Sequence, residues 1–237
     1  MPLLTTSEVG QLLGVSAATI KRLSVAGKIA CQRGANGIRG FCLEDVAAHL
    51  HAEGSLEDAL RAGSTEGCVS ALLHACLDGM TLAEAFNDVA LPAVDRMPSA
   101  DLSFIERCEP LGAERHGRSA SPTAIMLSAD AGTARARMAA CLLRGLGYRV
   151  PALSREAQIE VLRVIACADP TLVVAMEPHR PDLALLREHL PSMLGRIGGS
   201  FLVDGAVGGF RTLQEFLAGA RIRIGGPRVT PQSIAVS

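Results

Sequence analysis

Aromatic residues are scarce in this chain: 3% of 237 residues, with no Trp and one Tyr. Cores must therefore be assembled from Leu, Val, Ile and Ala, which favours helices and buried parallel strands. No apolar run approaches the ~20 residues that cross a bilayer, and Met1–Glu8 lacks a signal-peptide pattern. A soluble, cytoplasmic protein with no membrane partner is expected. Seven cysteines occur, none in CxxC spacing, and without an export signal they read as free thiols. Cys68, His74 and Cys76 lie close together, but a helix there would bury both cysteines as small hydrophobes, so no metal is expected. The glycine pairs at 198–199 and 208–209 lack the GxGxxG context of a dinucleotide site. His179, with Glu177, Arg180 and Asp182 nearby, reads as a solvated loop cluster. With no nucleophile–base constellation, a non-enzyme is expected.

Charge is nearly balanced overall, with 23 Lys and Arg against 24 Asp and Glu. Locally it is not. Residues 1–50 carry Lys21, Arg22, Lys28, Arg33 and Arg39 against Glu8, Glu44 and Asp45, a balance of +2 that leaves −3 for the remainder. Local basicity on a near-neutral chain is the expected electrostatic footprint of one nucleic-acid-binding module.

The pattern in that segment agrees. Thr6 or Ser7 can cap a first helix that buries Val9, Leu12 and Leu13. Gly14 supplies a tight bend, and Ser16 can cap a second helix with Ile20 and Leu23 facing inward. Ser16, Ala17, Thr19, Lys21 and Arg22 then stand open to a major groove, where the small residues permit close approach to base edges. Lys28–Arg33 reads as a strand, Gly34-Ala35-Asn36-Gly37 as a turn and Ile38–Cys42 as the return strand, with a third short helix behind. Lys28, Arg33 and Arg39 are the basic residues of this wing. Double-stranded DNA is the expected partner.

Leu4-Thr5-Thr6-Ser7-Glu8-Val9, Leu13-Gly14-Val15-Ser16, Thr19-Ile20-Lys21-Arg22, Ala26-Gly27-Lys28-Ile29 and Arg39-Gly40-Phe41 together resemble the MerR and excisionase class of winged helix-turn-helix domains. That resemblance covers about the first 50 residues. The sequence departs from the class at Leu23, where an aromatic is common, and at Gly40, where a second basic residue is frequent.

Beyond residue 50 the pattern changes. A hinge at His51–Gly54 leads into helical patterns over Ser55–Ala62, Thr65–Asp78 and Leu82–Met97, with a weaker helix over Leu102–Cys108. Short helices with short connections predict an antiparallel bundle. From Ala124, strands (Ala124–Ser128, Tyr148–Leu153, Thr171–Met176, Ser200–Asp204) alternate with helices (Thr133–Leu146, Arg155–Cys167, Leu183–Gly195, Thr212–Ala218). Such alternation predicts a doubly wound parallel sheet. The expected organisation is multidomain α and α/β: a winged helix-turn-helix over 1–53, a bundle over 54–110, a linker over 111–123, the α/β domain over 124–224 and a loose tail over 225–237.

This order, with Leu56-x-x-Ala59-Leu60-x-x-Gly63, Leu72-Leu73, Gly79, Leu91-Pro92-Ala93-Val94 and Leu142-Leu143-x-x-x-Gly147-Tyr148-x-Val150, resembles MerR-type regulators with a cobalamin-binding sensory half. Light-sensing carotenoid-gene repressors are of that kind. The resemblance implies a cobalt-ligating His in a DxHxxG loop after the first sheet strand. Here that loop aligns with Asp130-Ala131-Gly132-Thr133-Ala134-Arg135, so the ligand position is Gly132 and the final Gly is Arg135. The Trp that such bundles place over the corrin is missing, and Glu114 and His116 stand where a Glu-His pair is usual. No cofactor is expected. Haem through His116 or Cys108, a small molecule in the sheet cleft near His179, or cobalamin without protein ligation remain the alternatives. The expected function is a DNA-binding regulator acting as a homo-oligomer; its alternative is a ligand- or haem-sensing regulator working through protein partners.

Overall fold

The computed structural model describes residues 3–34, 37–50, 54–112, 123–127, 133–151, 172–175 and 200–203. They fall in two compact units, Met1–Ala113 and Glu114–Ser237.

The first unit opens with strand β1 (Leu4–Thr5) running into helix α1 (Thr6–Leu13). The cap of α1 is Thr5, one or two residues earlier than the sequence pattern indicates. Its hydroxyl accepts from the Glu8 amide while the Glu8 carboxylate accepts from the Thr5 amide, a reciprocal capping box. Gly14 ends α1 in the left-handed region at φ 67°, and Ser16 caps α2 (Ala17–Val25) by accepting from the Thr19 amide at 3.2 Å. The strand expected over Lys28–Arg33 is confined to β2 (Gln32–Arg33). Lys28 instead donates its amide back to the Leu23 carbonyl, and Ile29 is buried, so these residues finish the helix and enter the core. The return strand β3 (Arg39–Phe41) lies centrally in an antiparallel sheet of order β1-β3-β2, with Leu4 opposite Phe41 and Arg33 opposite Arg39. Pairing of the opening Leu4-Thr5 with this hairpin has no signature in a two-residue stretch of sequence.

Helix α3 (Leu43–Leu50) follows, then α4 (Leu56–Arg61) and α5 (Thr65–Leu77), capped by Ser55 and Ser64. The single helix expected over Leu82–Met97 is three pieces: α6 (Leu82–Glu84), a π-helical segment over Ala85–Ala90, and α7 (Leu91–Asp95). Pro92 accounts for the change. It has no amide hydrogen and its ring crowds the carbonyl four residues back, so the helix widens and the Leu91 amide reaches the Phe86 carbonyl. The last helix, α8 (Phe104–Arg107), is shorter than its predicted range and continues as a 3-10 turn over Glu109–Gly112.

Head and bundle share one unit. Helix α3 packs on α5, and α1 on α8 and the 3-10 turn. Val9, Leu12, Ile20, Phe41 and Val46 are fully buried in the head, as are Val69, Leu72, Leu73, Phe86, Phe104 and Ile105 in the bundle. The border expected between residues 53 and 54 thus falls inside a compact body.

In the second unit, β4 (Ala124–Leu127), β5 (Leu172–Ala175) and β6 (Ser200–Val203) form a parallel sheet in that order. Helix α9 (Ala134–Gly145), capped by Thr133, follows β4. Of the predicted strand Tyr148–Leu153, a single parallel bridge is seen, Thr123 with Arg149. It puts that segment beside β4, on the edge away from β5. The predicted helices Arg155–Cys167, Leu183–Gly195 and Thr212–Ala218, and the tail, lie outside the described residues.

Leu72 is fully buried on α5. Leu72→Ala is expected to cost about 2–5 kcal/mol through lost burial and the cavity it leaves, read as a lower urea midpoint in far-UV circular dichroism.

Candidate nucleic-acid interface

The cap of α2 extends into a short polar chain. Ser16 Oγ lies 3.0 Å from Thr19 Oγ1, and Arg22 Nη2 donates to Thr19 Oγ1 at 3.2 Å. Spacing of three residues puts Ser16, Thr19 and Arg22 along one side of the helix, so the guanidinium is aimed before any ligand arrives. Ile20 is fully buried, Leu23 half-buried, and Ala18, Lys21, Arg22 and Val25 form the exposed stripe. Ala17 and Thr19 are half-buried, less open than the sequence pattern implies. The Thr19 hydroxyl serves to orient Arg22.

On the wing, Arg33 and Arg39 are Cα partners across the antiparallel β2–β3 pair. Residues directly opposite share a sheet face, and like charges so placed are destabilising unless an anion joins them. Gly40 lies between β1 and β2 on β3, and a Cβ there would stand 2.7 Å from Leu3 Cδ1. A side chain at this position would displace Leu3. Lys28 is exposed just after α2. Two apolar side chains missed by reading the sequence also stand out here, Val25 at 74% and Ile38 at 60% exposure. The signal for Val25 was its position three and four residues beyond Arg22 and Lys21.

Among the described residues, none of the five head cations sits in an ion pair, whereas in the bundle Arg61 pairs with Asp58 and Arg96 with Glu57, each at 2.8 Å. Residues 54–112 hold three basic side chains against ten acidic ones. Within the first unit, a basic head joined to a strongly acidic bundle makes a field that draws a polyanion to α2 and the wing rather than to the bundle.

The residues considered for cofactors are arranged differently. Cys108 is fully buried, and its thiol is pushed up by burial and further by the neighbouring Cys76. Burial also raises Cys68 and Cys76 to about 11. Only a thiolate binds metal well, so Cys108 does not fit a haem ligand in this packing, and Cys68 and Cys76 serve as core. Among the described residues no group of three or more His, Cys, Asp and Glu is disposed to hold a metal ion. Arg135 is exposed on the first turn of α9. Asp130, Gly132, His116 and His179 lie outside the described residues. No helix among the described residues is long and apolar enough to cross a membrane.

No protein-family model matches this chain, and a search of curated proteins finds no match.

At pH 8 a thiol of pKa near 11 is thiolate in about one molecule per thousand. Iodoacetamide is therefore expected to label Cys31 and Cys42, both partly exposed, well before Cys68, Cys76 or Cys108, as read by peptide mass spectrometry. The linkage has a definite sign. Because folding raises these pKa values from 9.0, their contribution to stability is full below pH 9 and lost as pH rises through about 11. Urea midpoints measured between pH 8 and 11 should fall accordingly.

Proposed function

We propose that this chain is a non-enzymatic, DNA-binding transcriptional regulator whose head reads duplex DNA through α2 and the β2–β3 wing. The observation that carries this reading is the juxtaposition of Arg33 and Arg39 across the hairpin, together with Lys21 and Arg22 exposed on α2. Such a pair is unfavourable by itself and becomes favourable on phosphates. Ser16 and Ala17 at the start of α2 allow close approach to base edges, Arg22 suits guanine or phosphate, and Lys28, Arg33 and Arg39 suit the backbone. Exposed Val25 adds an apolar contact suited to a thymine methyl.

The second unit is, in this reading, a doubly wound α/β module of cobalamin-binding type used for sensing or oligomerisation. Its support is the strand order: the Arg149 segment, β4, β5, β6, all parallel, follows the 2-1-3-4 sequence of flavodoxin-like sheets. A His-ligated cobalamin does not fit, because Gly132 offers no donor at the ligand position. A head with about five cationic contacts binds weakly at physiological salt, so the regulator acts as a homo-oligomer on repeated or palindromic sites.

The test is a gel shift on the DNA upstream of the protein's own gene, repeated from 50 to 200 mM salt. Arg22→Ala with Arg39→Ala is expected to abolish the shift near physiological salt. Each lost phosphate contact lowers the log–log salt slope by about 0.9. Unchanged binding by the double variant sinks this assignment. The purified protein is further expected to be colourless and larger than a monomer in solution; a corrin or Soret band would overturn the cofactor-free reading.

A further inference from the structure

Helix α1 has no basic residue in its last turn, although its free carbonyls form the negative end of the helix dipole. The missing cation comes from the bundle. Arg107, the last residue of α8, donates through Nε to the Leu12 carbonyl at 3.0 Å. Its guanidinium lies over Gly14, where an added Cβ would be 2.8 Å from Cζ and 3.0 Å from Nη2. Nη2 is buried and, among the described residues, has no hydrogen-bond partner. Beside it, the Gln11 side-chain amide donates to the Glu106 carbonyl at 2.9 Å. Both ties span 95 residues of sequence, and both end on α1 or on the turn leading into α2.

Gly14 is required by its φ of 67°, and the guanidinium rests in the space its missing Cβ leaves. The turn between α1 and α2 sets the direction of α2, so whatever fixes that turn sets the pitch of the recognition helix. From this geometry we infer that Arg107 is a positioning residue for DNA binding, a clamp through which the bundle orients α2 without touching DNA. The inference rests on the DNA-binding reading. It makes α8 part of the reading head, although its sequence belongs to the bundle. With Nη2 buried and, among the described residues, unpartnered, the guanidinium is held by its bond to the Leu12 carbonyl, the dipole and packing.

The test uses the full chain carrying Arg107→Ala, Arg107→Lys or Gln11→Ala. In Arg107→Ala, amide exchange is expected to quicken over residues 13–20 while Leu72 and Leu73 in α5 keep their protection. DNA affinity should fall about tenfold with an unchanged salt slope. Arg107→Lys restores the cation but not the planar fork and should recover part of both effects. Gln11→Ala, which removes only the exposed tie, should give a smaller change of the same kind and covers the case in which Arg107→Ala fails to fold. Unchanged exchange over 13–20, or equal acceleration throughout α5, overturns the clamp. A reduced salt slope overturns it too, since it would make Arg107 a phosphate contact. If the wild-type chain binds no duplex, the DNA-binding reading fails, and the exchange pattern alone decides whether the clamp exists.

Discussion

Cohesion in residues 3–112 depends on aliphatic burial organised around three fully buried phenylalanines, Phe41, Phe86 and Phe104. With no Trp and one Tyr, no single residue can fill a large void, and every layer needs several well-packed Leu, Val or Ile side chains. Short helices supply them economically, but none of these helices buries enough by itself to stand alone. Head and bundle consequently lean on each other, α3 against α5 and α1 against α8. Placement of α2 follows from that mutual dependence.

Local chemistry and function pull in different directions in the head. Thr5, Ser16, Ser55, Ser64 and Thr81 each cap a helix through their side chains, so helix starts are strongly specified. Arg33 opposite Arg39 is by contrast a choice that folding alone would not favour. Departures of this kind are expected where a surface has been shaped for a partner.

Several elements were legible in the residue pattern for simple reasons. Caps act over three residues, so Ser16, Ser55, Ser64 and Thr81 could be read directly, and Val9, Leu12 and Ile20 followed from helical periodicity. The Thr5 cap was misplaced by one or two positions because Thr5, Thr6 and Ser7 are all competent caps, and pairing of β1 with β3 decided among them. The strand drawn back to Lys28 failed because nothing local distinguishes a β-branched strand from a helix exit that buries Ile29. The break around Ala85–Ala90 was in principle visible, since Pro92 inside a helical pattern forces some adjustment; its form as a wide turn was not. In the candidate site, the cations Lys21, Arg22, Lys28, Arg33 and Arg39 were apparent from charge and spacing, whereas the role of Thr19 as a rest for Arg22 needed the side-chain geometry.

By itself the sequence determined most of the helix starts, the bend at Gly14, the basic bias of the first 50 residues and the parallel pairing of β4, β5 and β6. Each rests on interactions within a few residues or on a periodic pattern that a linear reading preserves. Only the tertiary structure decided that Arg33 faces Arg39, that Cys108 is a core residue and that Arg107 completes the end of α1 across 95 positions of sequence. Those outcomes depend on which surfaces meet, and the free energy that brings them together is apolar burial, which has magnitude but no direction. Which polar groups are carried along is settled when the core closes.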